Sequence, residues 1–158
     1  MTSTEHVISV TPFTVRRRVK FGECDPAGVV YTPVFGEYVI SCADLFYEYL
    51  LDGRPESIKD EHGFETPSRA LTFDFLSSLR PDVQFDMRVF IRDIRTRTYT
   101  LAITGSTLAG DRVFIAHLTP ICVGRNERRA IEIPPLFLAK LEAYRSMVRD
   151  PVPQAPRH

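Results

Sequence analysis

A chain of 158 residues, 44% hydrophobic and 25% charged, is sized and composed for one folded domain, which excludes wholesale disorder. Lys and Arg number 20 and Asp and Glu number 20, so the net charge is zero and the electrostatic footprint of a nucleic-acid binder is missing. No apolar run approaches the ~18 residues of a membrane span, and residues 1–10 carry no apolar core of a secretory leader. These features predict a single domain over residues 1–150, cytoplasmic, with no nucleic-acid or membrane partner. The proline-rich tail over 151–158 is expected to be disordered. Cys24, Cys42 and Cys122 are an odd number at wide spacing, and His6, His62, His117 and His158 are scattered. Reduced thiols are expected, without a disulfide framework or a metal site.

In chain order, residues 13–21 alternate, with Phe13, Val15, Val19 and Phe21 on one face and Thr14, Arg16, Arg18 and Lys20 on the other, which predicts a strand. Gly22 to Gly28 is turn chemistry. Thr32 then reads as an N-cap and Pro33 as the first helical residue. From Pro33 to Leu51 the period becomes helical. Phe35, Tyr38, Val39, Cys42, Phe46, Tyr49 and Leu50 form one stripe, and Ile40, Leu45 and Tyr47 widen it. This is the pattern of a helix covered over much of its circumference, ending near Asp52-Gly53, where glycine admits the left-handed conformation.

Residues 52–66 read as a loop with at most one helical turn. Four strand segments follow: the alternating 71–75, 83–92 and 98–104, and the doubly apolar run Val113–Val123, in which Pro120 marks a bulge or an unpaired stretch of a central strand. The short connections Arg95-Thr96-Arg97 and Ala109-Gly110-Asp111 predict antiparallel hairpins. Ile131 to Ile133 reads as a short edge strand. Pro134-Pro135 opens a terminal helix with Leu138, Leu141 and Val148 inward. The fold class is therefore α+β, an antiparallel sheet of about five strands wrapped around one long helix. Open sheet edges call for a second copy, so a homodimer is expected.

The segment Phe21-Gly-Glu-Cys-Asp-Pro-Ala-Gly-Val-Val-Tyr-Thr-Pro33 sets a carboxylate, Asp25, on a glycine-flanked turn before a helix N-terminus. Free N–H groups and the positive end of the helix dipole converge on that corner. A carbonyl placed there would be polarised, and Asp25 could attack it or activate a water. By spacing alone, an aspartate in this setting is more often a turn cap. Cys24 beside it has no nearby histidine and reads as a small packing residue. His117, in an apolar strand, reads as a hydrogen-bonded core or interface residue, and His62 as solvated. Arg16, Arg18 and Lys20 share one exposed strand face.

The Asp25-Pro-Ala-Gly motif, followed by Pro33 and an aromatic-rich helix, resembles the hotdog-fold acyl-CoA thioesterases, in particular the 4-hydroxybenzoyl-CoA thioesterase family of the Pseudomonas type. The likeness runs from about Val15 to Ala139 and includes Thr66-Pro67, Arg95 to Tyr99 and Arg129 to Pro134. The resemblance implies Asp25 as the catalytic carboxylate and the Thr32 backbone N–H as the oxyanion donor. It implies a dimer of hotdogs, usually a tetramer, with sites shared between subunits. It places Arg95 and Arg97 on the coenzyme A phosphates, with Arg128 and Arg129 as weaker candidates. Coenzyme A would be part of the substrate, and no separate cofactor is expected. Ile40 stands where the 4-hydroxybenzoyl enzyme carries acidic character, which favours a less polar aryl or medium-chain acyl group. Carrier-protein thioesters and a non-catalytic acyl-CoA binder are the alternatives. A hydratase is disfavoured because no histidine stands in a His-Phe-Pro-Gly type setting.

Overall fold

The computed structural model describes residues 3–151. Strands β1 (Glu5–Val10), β2 (Phe13–Arg18), β4 (Ser68–Phe75), β5 (Gln84–Ile94), β6 (Tyr99–Thr107) and β7 (Arg112–Pro120) form one six-stranded sheet in the order β1-β2-β5-β6-β7-β4. Every neighbouring pair is antiparallel, with Val15 opposite Met87, Val89 opposite Ile103, and Thr72 opposite His117. Strands β3 (Phe64–Glu65) and β8 (Val123–Gly124) form a separate small pair.

Helix α1 (Val34–Leu50) lies on one face of the large sheet, and the heptad-like spacing of its aromatic residues explains why. Phe35, Tyr38, Val39, Cys42 and Phe46 are all buried. Helix α3 (Pro135–Met147) lies alongside, with the Tyr144 and Phe46 rings 4.8 Å apart. Each fully buried large side chain contributes roughly 1.5–3 kcal/mol, and the aromatic network from Phe13 through Phe46, Tyr47 and Phe137 makes this layer continuous. Helix α1 ends as its sequence predicts: Asp52 and Gly53 both take left-handed conformations, and Gly53 N–H donates to the Glu48 carbonyl at 2.7 Å.

Several expectations need correction. The sheet has six strands because residues 5–10 pair with β2, although their alternation is too weak to announce a strand. Residues 52–66 hold helix α2 (Pro55–His62) and β3, not a loop; α2 is polar apart from the buried Ile58 and is also held by Arg125, which pairs with Glu56 and Asp60 of the helix and with Glu65. Pro33, not Thr32, is the N-cap of α1, with no side-chain cap. Residues 131–133 form no strand. Their N–H groups instead reach the carbonyls of Cys122 and Thr96. Phe21 leaves the apolar face of β2 and is 84% exposed, because the chain turns into a single 3-10 turn over Phe21–Glu23. Helix α1 is covered by the sheet and by α2 and α3, but Ile40, expected to widen its apolar surface, lies with Glu37, Asp44 and Glu48 on the stripe that stays exposed. Residues 152–158 of the predicted tail lie outside the described residues.

Candidate active site

The segment from Phe21 to Pro33 folds back on itself as a narrow hairpin-like loop. Tyr31 N–H donates to the Glu23 carbonyl (3.0 Å), Cys24 and Val30 form a bridge, and Asp25 N–H donates to the Val29 carbonyl (2.9 Å). At the tip, Gly28 N–H closes a turn onto the Asp25 carbonyl at 2.9 Å. Gly28 sits at φ +79°, a conformation that a side chain with a Cβ disfavours. Val30 N–H donates to the Leu79 carbonyl, which ties the loop to the segment after β4.

Within this frame Asp25 does two things. Its Oδ1 accepts N–H bonds from Ala27 (2.9 Å) and Val29 (3.5 Å), so the carboxylate caps its own turn. Its Oδ2 accepts no hydrogen bond among the described residues. The side chain is thus oriented by one oxygen and uncommitted at the other. The turn-cap role therefore leaves one carboxylate oxygen free for other contacts.

The helix N-terminus is more closed than the sequence implies. Val34, Phe35 and Gly36 donate to the carbonyls of Tyr31, Thr32 and Pro33 at 2.8, 3.2 and 3.1 Å, so the first helical N–H groups are consumed in tight turns. Pro33 has no N–H. Thr32 is exposed, and its N–H donates to no group among the described residues, which leaves it as the available donor at the positive end of α1. Thr32 sits in the same loop as Asp25, on the returning arm.

Cys24 Sγ lies 3.8 Å from the Lys20 carbonyl. Burial, with the nearby Asp25 and Glu23 charges, pushes the thiol pKa above its ordinary range. All three cysteines are free. His117 lies on the sheet face away from α1 and accepts a hydrogen bond at Nε2 from Arg92 Nη1 (2.8 Å), so it is neutral. Burial and the Arg92 charge hold it below its usual value. No helix among the described residues is long and apolar enough to cross a membrane.

The predicted arginines lie elsewhere. Arg95 pairs with Asp93 (3.2 Å) and reaches Thr100 Oγ1 (3.3 Å). Arg97 and Arg129 line an open groove of about 640 Å³ together with Glu127 and Glu132. Arg128, adjacent in the chain and exposed at φ +52°, donates its N–H to the Gly124 carbonyl. Main-chain bonds from Cys122 N–H to the Arg97 carbonyl and from Ile133 N–H to the Thr96 carbonyl hold the two loops together. Among the described residues Arg97, Arg128 and Arg129 make no ion pair, whereas Arg95 does.

One chain does not bring these arginines to Asp25. Phe35, in the first turn of α1, packs on Phe75 and Phe114, whereas Tyr47, in its last turn, bonds Tyr99 at 2.7 Å, next to the 95–98 hairpin. Asp25 and the arginines therefore lie at opposite ends of α1, whose 17 residues span about 25 Å. On the near side, edge strand β4 is open to pairing and exposes Leu71, Phe75 (49%) and, just beyond it, Leu76 (51%) beside the first turn of α1.

Sequence reasoning missed the polar groups beneath the loop: Arg17, Glu23 and Tyr38. The signal was Arg17, which falls on the apolar side of the alternation in residues 13–21 and so had to be paired.

The profile of the thioesterase-like superfamily matches residues 19–141. A hypothetical protein from Staphylococcus aureus, solved in complex with CoA, superposes with a TM-score of 0.82 at 14% identity, over 99% of this chain and 93% of that one. The 4-hydroxybenzoyl-CoA thioesterase from a Pseudomonas strain superposes at 0.67 with 25% identity, over 80% and 96%. A 1,4-dihydroxy-2-naphthoyl-CoA thioesterase from Synechocystis superposes at 0.67 with 20% identity, over 82% and 94%. The shared architecture is the hotdog fold. No curated protein sequence matches the chain.

Proposed function

This chain belongs to the thioesterase-like superfamily, and on that premise we propose that it hydrolyses an acyl-CoA thioester, with an aryl or medium-chain acyl group, to the free acid and coenzyme A. The observation that carries the reading is the Asp25 carboxylate, fixed through Oδ1 and uncommitted at Oδ2, in the loop that also presents the free Thr32 N–H.

In the reaction the thioester oxygen accepts the Thr32 N–H bond, which strengthens as the carbonyl becomes a tetrahedral oxyanion; one such donor is worth ~10²–10³ in rate. Asp25 either attacks the carbonyl carbon, giving a mixed anhydride that water then opens, or takes a proton from the attacking water. Both routes need the ionised carboxylate, and both expel the coenzyme A thiolate, which leaves as the thiol after protonation.

Neighbours that bind CoA or act on aryl-CoA esters support the substrate class. The exposed, apolar Ile40 supports a less polar acyl group than 4-hydroxybenzoyl. Arg97, Arg128 and Arg129, which make no ion pair among the described residues, supply charge for the coenzyme A phosphates, with Arg95 the weaker candidate because Asp93 already engages it. Their distance from Asp25 and the open β4 edge support a homodimer, assembled further to a tetramer, in which one subunit's arginines serve its partner's Asp25.

The test is release of free thiol from a panel of acyl-CoAs, with Asp25→Asn and Cys24→Ala beside the wild type. Asp25→Asn is expected to lose about 10²–10⁴-fold in kcat, and Cys24→Ala to keep most of it. Turnover retained in Asp25→Asn refutes the mechanism. A best rate with 4-hydroxybenzoyl-CoA refutes the acyl preference. No turnover of any acyl-CoA by the folded wild type turns the reading to carrier-protein thioesters or to a binder.

A further inference from the structure

Beneath the loop lies a charged cluster that the proposed chemistry does not use. Glu23 is partly buried, and both its carboxylate oxygens are engaged: Oε1 accepts from Lys20 N–H (2.7 Å) and Tyr38 O–H (2.9 Å), and Oε2 from Arg17 Nη2 (2.8 Å). Arg17 lies over the Tyr38 ring, 4.6 Å from its centroid, and its Nη1 donates to Glu5 Oε2 at 3.0 Å. Glu5 Oε1 in turn accepts from Ser41 O–H at 2.5 Å. One side chain thus joins β1, β2, the 3-10 turn and α1. Such a network is stiff when complete and costly when one member is lost.

The position of Glu23 in the chain gives this stiffness a use. Glu23 is two residues before Asp25, and its carbonyl holds the N–H of Tyr31, the residue before Thr32. Its carboxylate holds Tyr38, one turn into α1. Both groups assigned to the reaction therefore hang from Glu23, one on each arm of the loop. Two other engaged cations lie away from this loop: Lys59 is buried against Tyr47 at the far end of α1, and Arg125 is bound by Glu56, Asp60 and Glu65.

Resting on the hydrolase reading above, we propose that Glu23 is a positioning residue: with Arg17 and Tyr38 it sets the Asp25 carboxylate against the Thr32 N–H, and so controls kcat without touching the substrate. Burial works against the carboxylate, but the Lys20 N–H, the Tyr38 hydroxyl and Arg17 outweigh it and keep Glu23 ionised.

The experiment compares kcat and KM of Glu23→Gln, Glu23→Ala and Tyr38→Phe with wild type and Asp25→Asn, each with a thermal melt. Glu23→Ala is expected to lose about 10²-fold in kcat, the scale of a 1 Å misplacement, with KM within about threefold. Glu23→Gln keeps an acceptor oxygen and should recover part of that loss. Tyr38→Phe, which removes one hydroxyl, should lose roughly tenfold in kcat. If Glu23→Ala does not fold, Glu23→Gln and Tyr38→Phe decide. Melting temperatures that fall while kcat per folded enzyme stays at the wild-type value would show a purely structural role and overturn the proposal. A wild type that turns over and an Asp25→Asn that does not, beside fully active Glu23 variants, defeats this inference alone. A wild type that releases no thiol defeats the hydrolase reading, and this inference with it.

Discussion

The separation of Asp25 from the basic groove allows a quantitative test of shared sites. Take two variants: Asp25→Asn, which lacks the carboxylate, and a double variant with Arg97→Glu and Arg129→Glu, which places two negative charges where coenzyme A phosphates would bind. Hydrogen bonds to charged groups are worth about 1.5–3 kcal/mol each, so two losses should raise KM by more than about 10²-fold and silence the double variant at moderate substrate. The two lesions lie at opposite ends of a helix about 25 Å long. If each site takes Asp25 from one protomer and arginines from its partner, a mixed dimer carries one site with both lesions and one with neither. Random assortment of equal amounts makes half the dimers mixed, each half active, so unfolding and refolding the two together should recover about a quarter of wild-type activity. The assay is thiol release before and after mixing. If arginines and Asp25 served the same chain's site, every site would carry a lesion and mixing would recover nothing. That outcome would refute the shared-site reasoning.

Two further predictions concern the scaffold. Tyr144 O–H donates to the Val89 carbonyl (2.5 Å) and accepts from Phe13 N–H (2.9 Å) in the buried core. Tyr144→Phe leaves both backbone groups unpaired, which costs about 2–4 kcal/mol and lowers Tm by roughly 4–16 °C in a thermal melt; an unchanged Tm would mean that Phe13 and Val89, which face each other in register, close on one another. His117 is held below its ordinary value near 6.5 by burial and by Arg92. The unfolded chain therefore takes up that proton first. Stability is full above pH ~6.5 and falls as the pH drops from there toward the lower folded value. Urea titrations between pH 7.5 and 5 should show this decline in the wild type and a flatter profile in His117→Gln.

The sheet and its long helix were legible because their signals are local. Alternation in residues 13–19, 83–91 and 99–104, helical spacing from Phe35 to Leu50 and the Asp52-Gly53 stop each follow from backbone geometry over a few residues. The same holds for Asp25, whose motif is contiguous. Residues 5–10 and α2 escaped because neither has an apolar period strong enough to read. Their structure is fixed by remote partners, β2 for the first and Arg125 for the second. Phe21 escaped because the alternation that predicts its burial stops one turn too early, where the chain bends away.

What the sequence alone determined is therefore the inventory: one α+β domain, its main elements, and a carboxylate at a turn before a helix. Tertiary structure alone decided the rest. It put β4 beside β7 at an open edge, spent the first N–H groups of α1 and left that of Thr32, paired Glu23 with Arg17 and Tyr38, and set the arginines at the far end of the helix. The physical reason is distance along the chain. Glu23 meets Tyr38 across 15 residues, Arg16 meets Asp86 across 70, and Phe13 meets Tyr144 across 131. Such pairings depend on how strands and helices pack, and no local period encodes them.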